Sequence, residues 1–151
     1  MHLITSGKVQ SLTGLTADQL REWTARRGLI HPDSRARGPG SRARYSWQTV
    51  LLLRLAVVLN KVFHVELQAQ RELFFELAKR LSRTSFPSLR GMILSVKADG
   101  DFEFRSAVEF ARIENDVLLI RLDPHLDVIS SSFGLVEPAP QLSLFPAVVV
   151  R

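Results

Sequence analysis

The chain has 151 residues, 46% of them hydrophobic and 23% charged, with a formal net charge of +5. That balance suits one ordinary domain or two small ones and excludes wholesale disorder. Cysteine is absent, which excludes disulfides, thiolate metal sites and cysteine nucleophiles together, and no run approaches the ~18 apolar residues of a membrane-spanning helix. The first four residues, Met1-His2-Leu3-Ile4, lack the charged region and apolar run of a signal peptide. A reducing compartment, the cytoplasm, fits these features.

The charge is divided unevenly. Residues 1–90 hold 15 Lys and Arg against 6 Asp and Glu, whereas residues 91–151 hold 5 against 9. A basic half followed by an acidic half suggests modules with different partners. Most of the positive charge is arginine, whose planar fork suits phosphate.

In chain order, residues 6–12 form a short segment with apolar positions three apart, and Thr13-Gly14-Leu15 is a tight connection. Thr16 is a good N-cap for the next helix, and Asp18 stands in its first turn, where the helix dipole favours an anion. Leu15, Leu20 and Trp23 make one apolar stripe. Arg26-Arg27 followed by Gly28 is a helix stop signal. Residues 33–44 form a loop centred on Gly38-Pro39-Gly40, with Arg35, Arg37, Arg42 and Arg44 around it. It reads as a small hairpin, or wing, closed by Tyr45-Ser46-Trp47. Ser46 caps a third helix, whose apolar run over residues 50–59 is expected to be buried on several sides. Residues 61–64 are a break. Residues 65–83 form a fourth helix with Leu67, Leu73, Phe74, Leu77 and Leu81 on its apolar side.

The order of these pieces resembles the winged helix-turn-helix of MerR-type transcription regulators. The resemblance covers about half the chain and rests on Thr13-Gly14-Leu15-Thr16, Leu20-Arg21, Gly28-Leu29-Ile30, Arg44-Tyr45-Ser46 and Phe63-His64-Val65. It implies binding of double-stranded DNA, with the helix from Thr16 in the major groove and the wing on phosphates. Carried over by position, Thr16, Gln19 and Arg21 belong to the reading helix, and Arg37, Arg42, Arg44 and Tyr45 to the wing. Arginine can bond guanine bidentately and glutamine can bond adenine. Asp18 and Glu22 depart from the family pattern by placing two acids on that helix. A scaffold for protein contact is the other use of such a fold.

From Phe86 the pattern changes. Residues 89–96 are strand-like, Asp99-Gly100 is a hairpin signal, Phe102 and Phe104 alternate with polar residues, and residues 117–122 read as another strand. A small, mostly antiparallel sheet is expected from Leu89 to about Val128. Asp99, Asp101 and Glu103 are as close in sequence as metal ligands can be, and Asp123, His125 and Asp127 form a candidate metal or acid–base trio. The first is better explained by the turn, and no histidine forms a spaced pair. With no phosphate loop, HExxH or nucleophile elbow in the sequence, the expectation is a protein without catalysis, cofactor or metal.

Residues 134–140 carry Pro138 and Pro140 and read as a stiff, extended linker. Then come Gln141-Leu142-Ser143-Leu144-Phe145, Pro146 and an apolar end. Alternation alone fits a last strand with Leu142 and Leu144 on one face, and residues 148–150 fit a separate edge strand. The pentapeptide also resembles the short motif by which bacterial proteins bind the DNA polymerase sliding clamp, and it matches that motif at every position. The resemblance implies that the Gln141 amide is held at a pocket mouth while Leu144 and Phe145 fill an apolar cleft. A small protein occupying that cleft would compete with polymerase and repair factors. That outcome resembles a replication-blocking toxin, partnered by an antitoxin and located at the nucleoid or replisome; a repair or replication accessory factor would use the same peptide without harm.

The sequence thus predicts an α+β protein: a MerR-like winged helix-turn-helix with its following helix over residues 1–84, a small antiparallel β region over 85–133, and a proline-bracketed tail over 134–151.

Overall fold

The computed structural model describes residues 2–106 and 115–135. The fold is α+β, with two small antiparallel sheets and five α-helices among the described residues.

The chain opens with a short strand, β1 (Ile4–Thr5), and Thr5 then caps helix α1 (Ser6–Thr13). Gly14 ends α1 in the left-handed region, at φ 74°, and its N–H donates to the carbonyl of Gln10. A side chain there would be strained, so the tight turn selects glycine. Helix α2 (Ala17–Arg21) follows and continues as a π-helical turn over Glu22–Arg26. Gly28, at φ 58°, then reverses the chain, as the Arg-Arg-Gly signal predicts. Beyond the arginine loop, β2 (Arg44–Tyr45) pairs with β1, setting Tyr45 opposite Ile4 and Arg44 opposite Thr5.

Helix α3 (Trp47–Val57) is capped by Ser46, whose hydroxyl accepts from the Thr49 N–H, as the sequence implies. It is the hub of the core and packs on α1, α4 and α5. Leu51, Leu53, Leu55 and Ala56 have no exposed surface, which explains a run too apolar to show one clear stripe. The break expected over 61–64 falls later. Val58–Val62 is still a π-helical turn, and the chain reverses at His64, the one non-glycine residue with positive φ among those described.

The fourth helix is shorter than its apolar spacing suggests. Residues Leu67–Gln70 form a 3-10 turn, and α4 proper is Arg71–Leu81. Its buried side is Leu73, Phe74, Leu77 and Leu81. A second 3-10 turn, Pro87–Leu89, leads into the sheet of β3 (Met92–Lys97), β4 (Phe102–Ser106) and β5 (Val117–Arg121). β3 is central, and both neighbours run antiparallel to it.

The expectation that strand structure continues to about Val128 is corrected here. The sheet ends at Arg121, and Asp123–Phe133 is a helix, α5, with Pro124 in its first turn. Proline starts a helix well because the first amides have no partner to lose. Leu126, Ile129 and Phe133 of α5 belong to the same buried cluster as Leu55, Leu59, Phe74 and Leu94. The core is therefore continuous across residue 84. Val108, Phe110 and the tail from residue 136 lie outside the described residues.

Candidate nucleic-acid interface

The helix expected to read bases is held by a reciprocal cap. Thr16 Oγ1 accepts from the Gln19 N–H at 3.1 Å, and Gln19 Oε1 accepts from the Thr16 N–H at 3.1 Å. This satisfies two amides that the helix start would otherwise leave bare. Thr16 is exposed, but its hydroxyl and one side of the Gln19 amide are committed to the cap. The Gln19 Nε2 group remains a donor, and Gln19 borders a groove of about 490 Å³ with Asn60, Lys61, His64, Val65 and Glu66. The sequence assigns no site role to Lys61 or to His64. They reach this groove because α3 runs on through its π turn before reversing.

The acids on this helix are engaged by its own arginines. Arg21 Nη1 lies 3.4 Å from Asp18 Oδ1, an exposed pair. Glu22 meets Arg27 at 2.8 Å and Arg26 at 3.4 Å. Its hydrogen bond from Arg27 is the main cause holding the Glu22 carboxyl below its ordinary range. The two departures from the family pattern are thus paired within the chain, and Arg26 and Arg27 lose part of their attraction for phosphate by the same contacts.

The arginine loop is fixed at its base and open at its tip. Asp33 Oδ2 accepts from the Ser46 N–H at 2.7 Å and from Thr49 Oγ1 at 2.8 Å, which clamps the loop start onto the N-terminus of α3. The Asp33 N–H donates to the Arg44 carbonyl at 3.0 Å and the Arg44 N–H to the Ser34 carbonyl at 2.9 Å, a single bridge of hairpin geometry. At the tip, Gly38 and Gly40 adopt φ of 75° and 83°, and Ser41 Oγ donates to the Gly38 carbonyl at 3.0 Å.

Arg37, Arg42 and Arg44 are exposed, and among the described residues their guanidinium groups have no hydrogen bond or ion pair. Arg35 differs, with Nη2 at 3.5 Å from His31 Nδ1. The loop packs beside the turn that follows α2 and encloses a cavity of about 310 Å³ lined in part by Thr24, His31, Arg35 and Tyr45. Tyr45 departs from the expected pattern. It is 2% exposed and part of the core, because pairing of β2 with β1 turns its ring inward opposite Ile4.

The trio Asp123, His125 and Asp127 does not converge. Arg90 Nη1 takes Asp127 at 2.7 Å and Asp123 at 3.7 Å, whereas His125 Nδ1 accepts from Arg54 Nε at 3.0 Å. Asp99 and Asp101 serve the hairpin, with Asp99 Oδ1 accepting from the Asp101 N–H at 2.9 Å. No group of three or more His, Asp and Glu suited to a metal ion occurs among the described residues. No helix among the described residues is long and apolar enough to cross a membrane.

Gln141, Leu142, Ser143, Leu144 and Phe145 lie outside the described residues. Comparison with known proteins finds no matching family model, no matching curated protein and no matching solved structure.

Proposed function

We propose that this protein binds the bacterial DNA polymerase sliding clamp through residues 141–145 and competes there with other clamp clients, so that replication elongation slows. The observation that carries this reading is the complete motif Gln141-Leu142-Ser143-Leu144-Phe145, set between Pro140 and Pro146. Prolines on both sides favour an extended peptide that can be presented to a cleft. Burial of Leu144 and Phe145 is worth ~1.5–3 kcal/mol each. Ordering costs leave roughly micromolar affinity for such a peptide. A protein acting this way is a toxin, and an antitoxin would be its second partner. The test is DNA synthesis in bacteria expressing the chain. Wild type should arrest nucleotide incorporation, and the Leu144→Ala/Phe145→Ala variant should not.

A second reading is favoured by a separate observation. Three arginines, Arg37, Arg42 and Arg44, stand unpaired among the described residues on a loop clamped by Asp33, beside the element that begins at Thr16. That arrangement suits a MerR-like winged helix on double-stranded DNA, with the arginines on phosphates and Gln19 and Arg21 on bases. Here the protein is a transcription regulator and the tail motif is not used. Loss of DNA binding in an Arg42→Ala/Arg44→Ala variant, with DNA synthesis in cells unaffected by wild type, would select this reading.

A further inference from the structure

A groove of about 980 Å³ lies away from the arginine loop, between the end of α4 and the edge strand β4. Arg80, Arg83 and Thr84 form one wall, and Phe102, Phe104 and Glu103 form the other.

The backbone of β4 is open on this side. In an antiparallel ladder, successive residues aim their N–H and C=O alternately at one neighbour and then at the other. The Lys97 N–H donates to the Asp101 carbonyl at 2.8 Å, and the Leu122 N–H donates to the Met92 carbonyl at 3.2 Å. Odd-numbered residues of β3 therefore face β4, and even-numbered ones face β5. Ser95 stands opposite Glu103 and Ile93 opposite Arg105, so Glu103 and Arg105 bond inward. Phe102, Phe104 and Ser106 turn their backbone groups to the outer edge. Asp101 Oδ1 accepts from the Phe102 N–H at 3.0 Å, which blunts one end. Among the described residues the N–H and C=O of Phe104 have no partner. An open edge of this kind is a template for one more strand.

The unmatched charge in the groove is positive. Its carboxylates are already paired: Glu76 with Lys79 at 3.9 Å, Asp101 with Lys97 at 3.6 Å and Glu103 with Arg105 at 2.6 Å. The guanidinium groups of Arg80 and Arg83 have no partner among the described residues. Those three carboxylates would meet the phosphates of a nucleic acid, whereas a peptide can present acids to the arginines and backbone to β4.

We propose that β4 is a docking edge for an extended acidic segment of a partner protein. The segment adds as a fourth strand through the Phe104 N–H and C=O, places an apolar side chain on Phe102 and Phe104, and sets a carboxylate on Arg80 and Arg83. Five strand residues span ~17 Å, so about five peptide residues take part.

The test titrates an acetylated, amidated Glu-Thr-Val-Thr-Glu peptide, whose two Glu and one Val share a face, into the full 15N-labelled chain. The expected result is a shift and slowed hydrogen exchange at the Phe104 amide, weakened about tenfold by Arg80→Glu/Arg83→Glu and abolished by N-methylation of the peptide backbone. Both arginines are exposed, so that variant keeps the fold. Four results would overturn the proposal. One is no change at Phe104 with millimolar peptide. A second is equal binding of the corresponding Lys-Thr-Val-Thr-Lys peptide. A third is displacement of the peptide by an oligothymidine that shifts the same amide. The fourth is sedimentation showing that a second copy of the chain occupies β4.

Discussion

Arg54, near the end of α3, donates its Nε to Nδ1 of His125 in α5 at 3.0 Å, across 71 positions of sequence. The same guanidinium donates from Nη1 to the carbonyl of Leu12 at the end of α1. One half-buried cation thus joins three helices, and it accounts for an arginine inside an otherwise apolar run. The contact requires a neutral imidazole. Burial first, and then the Arg54 charge, lower the His125 pKa from 6.5 to about 4.

A pH dependence follows from that shift. When the chain unfolds, His125 regains its ordinary pKa of 6.5 and takes up a proton that the folded state refuses until about pH 4. Its contribution to stability is therefore complete above the unfolded value and is lost as pH falls from 6.5 toward 4. Urea unfolding across that range should show a decline that is smaller in His125→Asn, whose amide oxygen can still accept from Arg54. Identical slopes for the two proteins would contradict this role.

The α5 helix should be as much a part of the core as α3. Leu126 and Leu55 are both fully buried in one cluster. Leu126→Ala and Leu55→Ala should each cost ~2–5 kcal/mol in denaturant unfolding, with one cooperative transition retained. An almost neutral Leu126→Ala would mean that α5 is not packed as described.

The cap at Thr16 makes a smaller prediction. Thr16→Ala removes one bond of the reciprocal pair with Gln19 and leaves an amide at the helix start unsatisfied. The expected loss is ~1 kcal/mol. Thr16→Ser, which keeps the hydroxyl, should lose much less. Thermal melts of the two variants check this.

What the sequence revealed was mainly local. Thr16 and Ser46 cap their helices by accepting from amides three residues ahead, Gly28 follows a pair of arginines, and Asp99-Gly100 closes a two-strand turn. Each signal and its effect lie within a few residues. The misread parts depend on distant partners. Leu126, Ile129 and Phe133 are spaced for one helix face, but Asp123-Pro124 after a strand reads equally as a strand end. Tyr45 looks like a wing residue until its pairing with Ile4 turns it inward. Nothing near Asp33 shows that its carboxylate will hold the start of α3 at Ser46 and Thr49. Of the candidate site, the exposed arginines were legible from charge and glycine placement. Asp18 with Arg21 and Glu22 with Arg26 follow from ordinary helix spacing, three and four apart, whereas the Glu22–Arg27 contact, five apart, needs the π turn.

The arginine loop is testable through salt. Each phosphate contact contributes a slope of about −0.9 to log affinity against log salt on duplex DNA. If Arg37, Arg42 and Arg44 meet phosphates, changing all three to Ala should reduce the magnitude of that slope by about 3 while leaving the unfolding midpoint close to wild type. All three residues are exposed, and among the described residues their guanidinium groups make no hydrogen bond or ion pair. Electrophoretic titrations between about 50 and 200 mM salt measure this. An unchanged slope would remove the loop from any DNA interface.

The most direct measurement for the clamp reading is equilibrium binding of the purified full chain to a bacterial sliding clamp, beside Leu144→Ala/Phe145→Ala. The account predicts binding at roughly micromolar strength or tighter for wild type, loss of binding in the double variant, and competition by a free Gln-Leu-Ser-Leu-Phe peptide. A wild-type chain that does not bind, or a variant that binds as well as wild type, would contradict it.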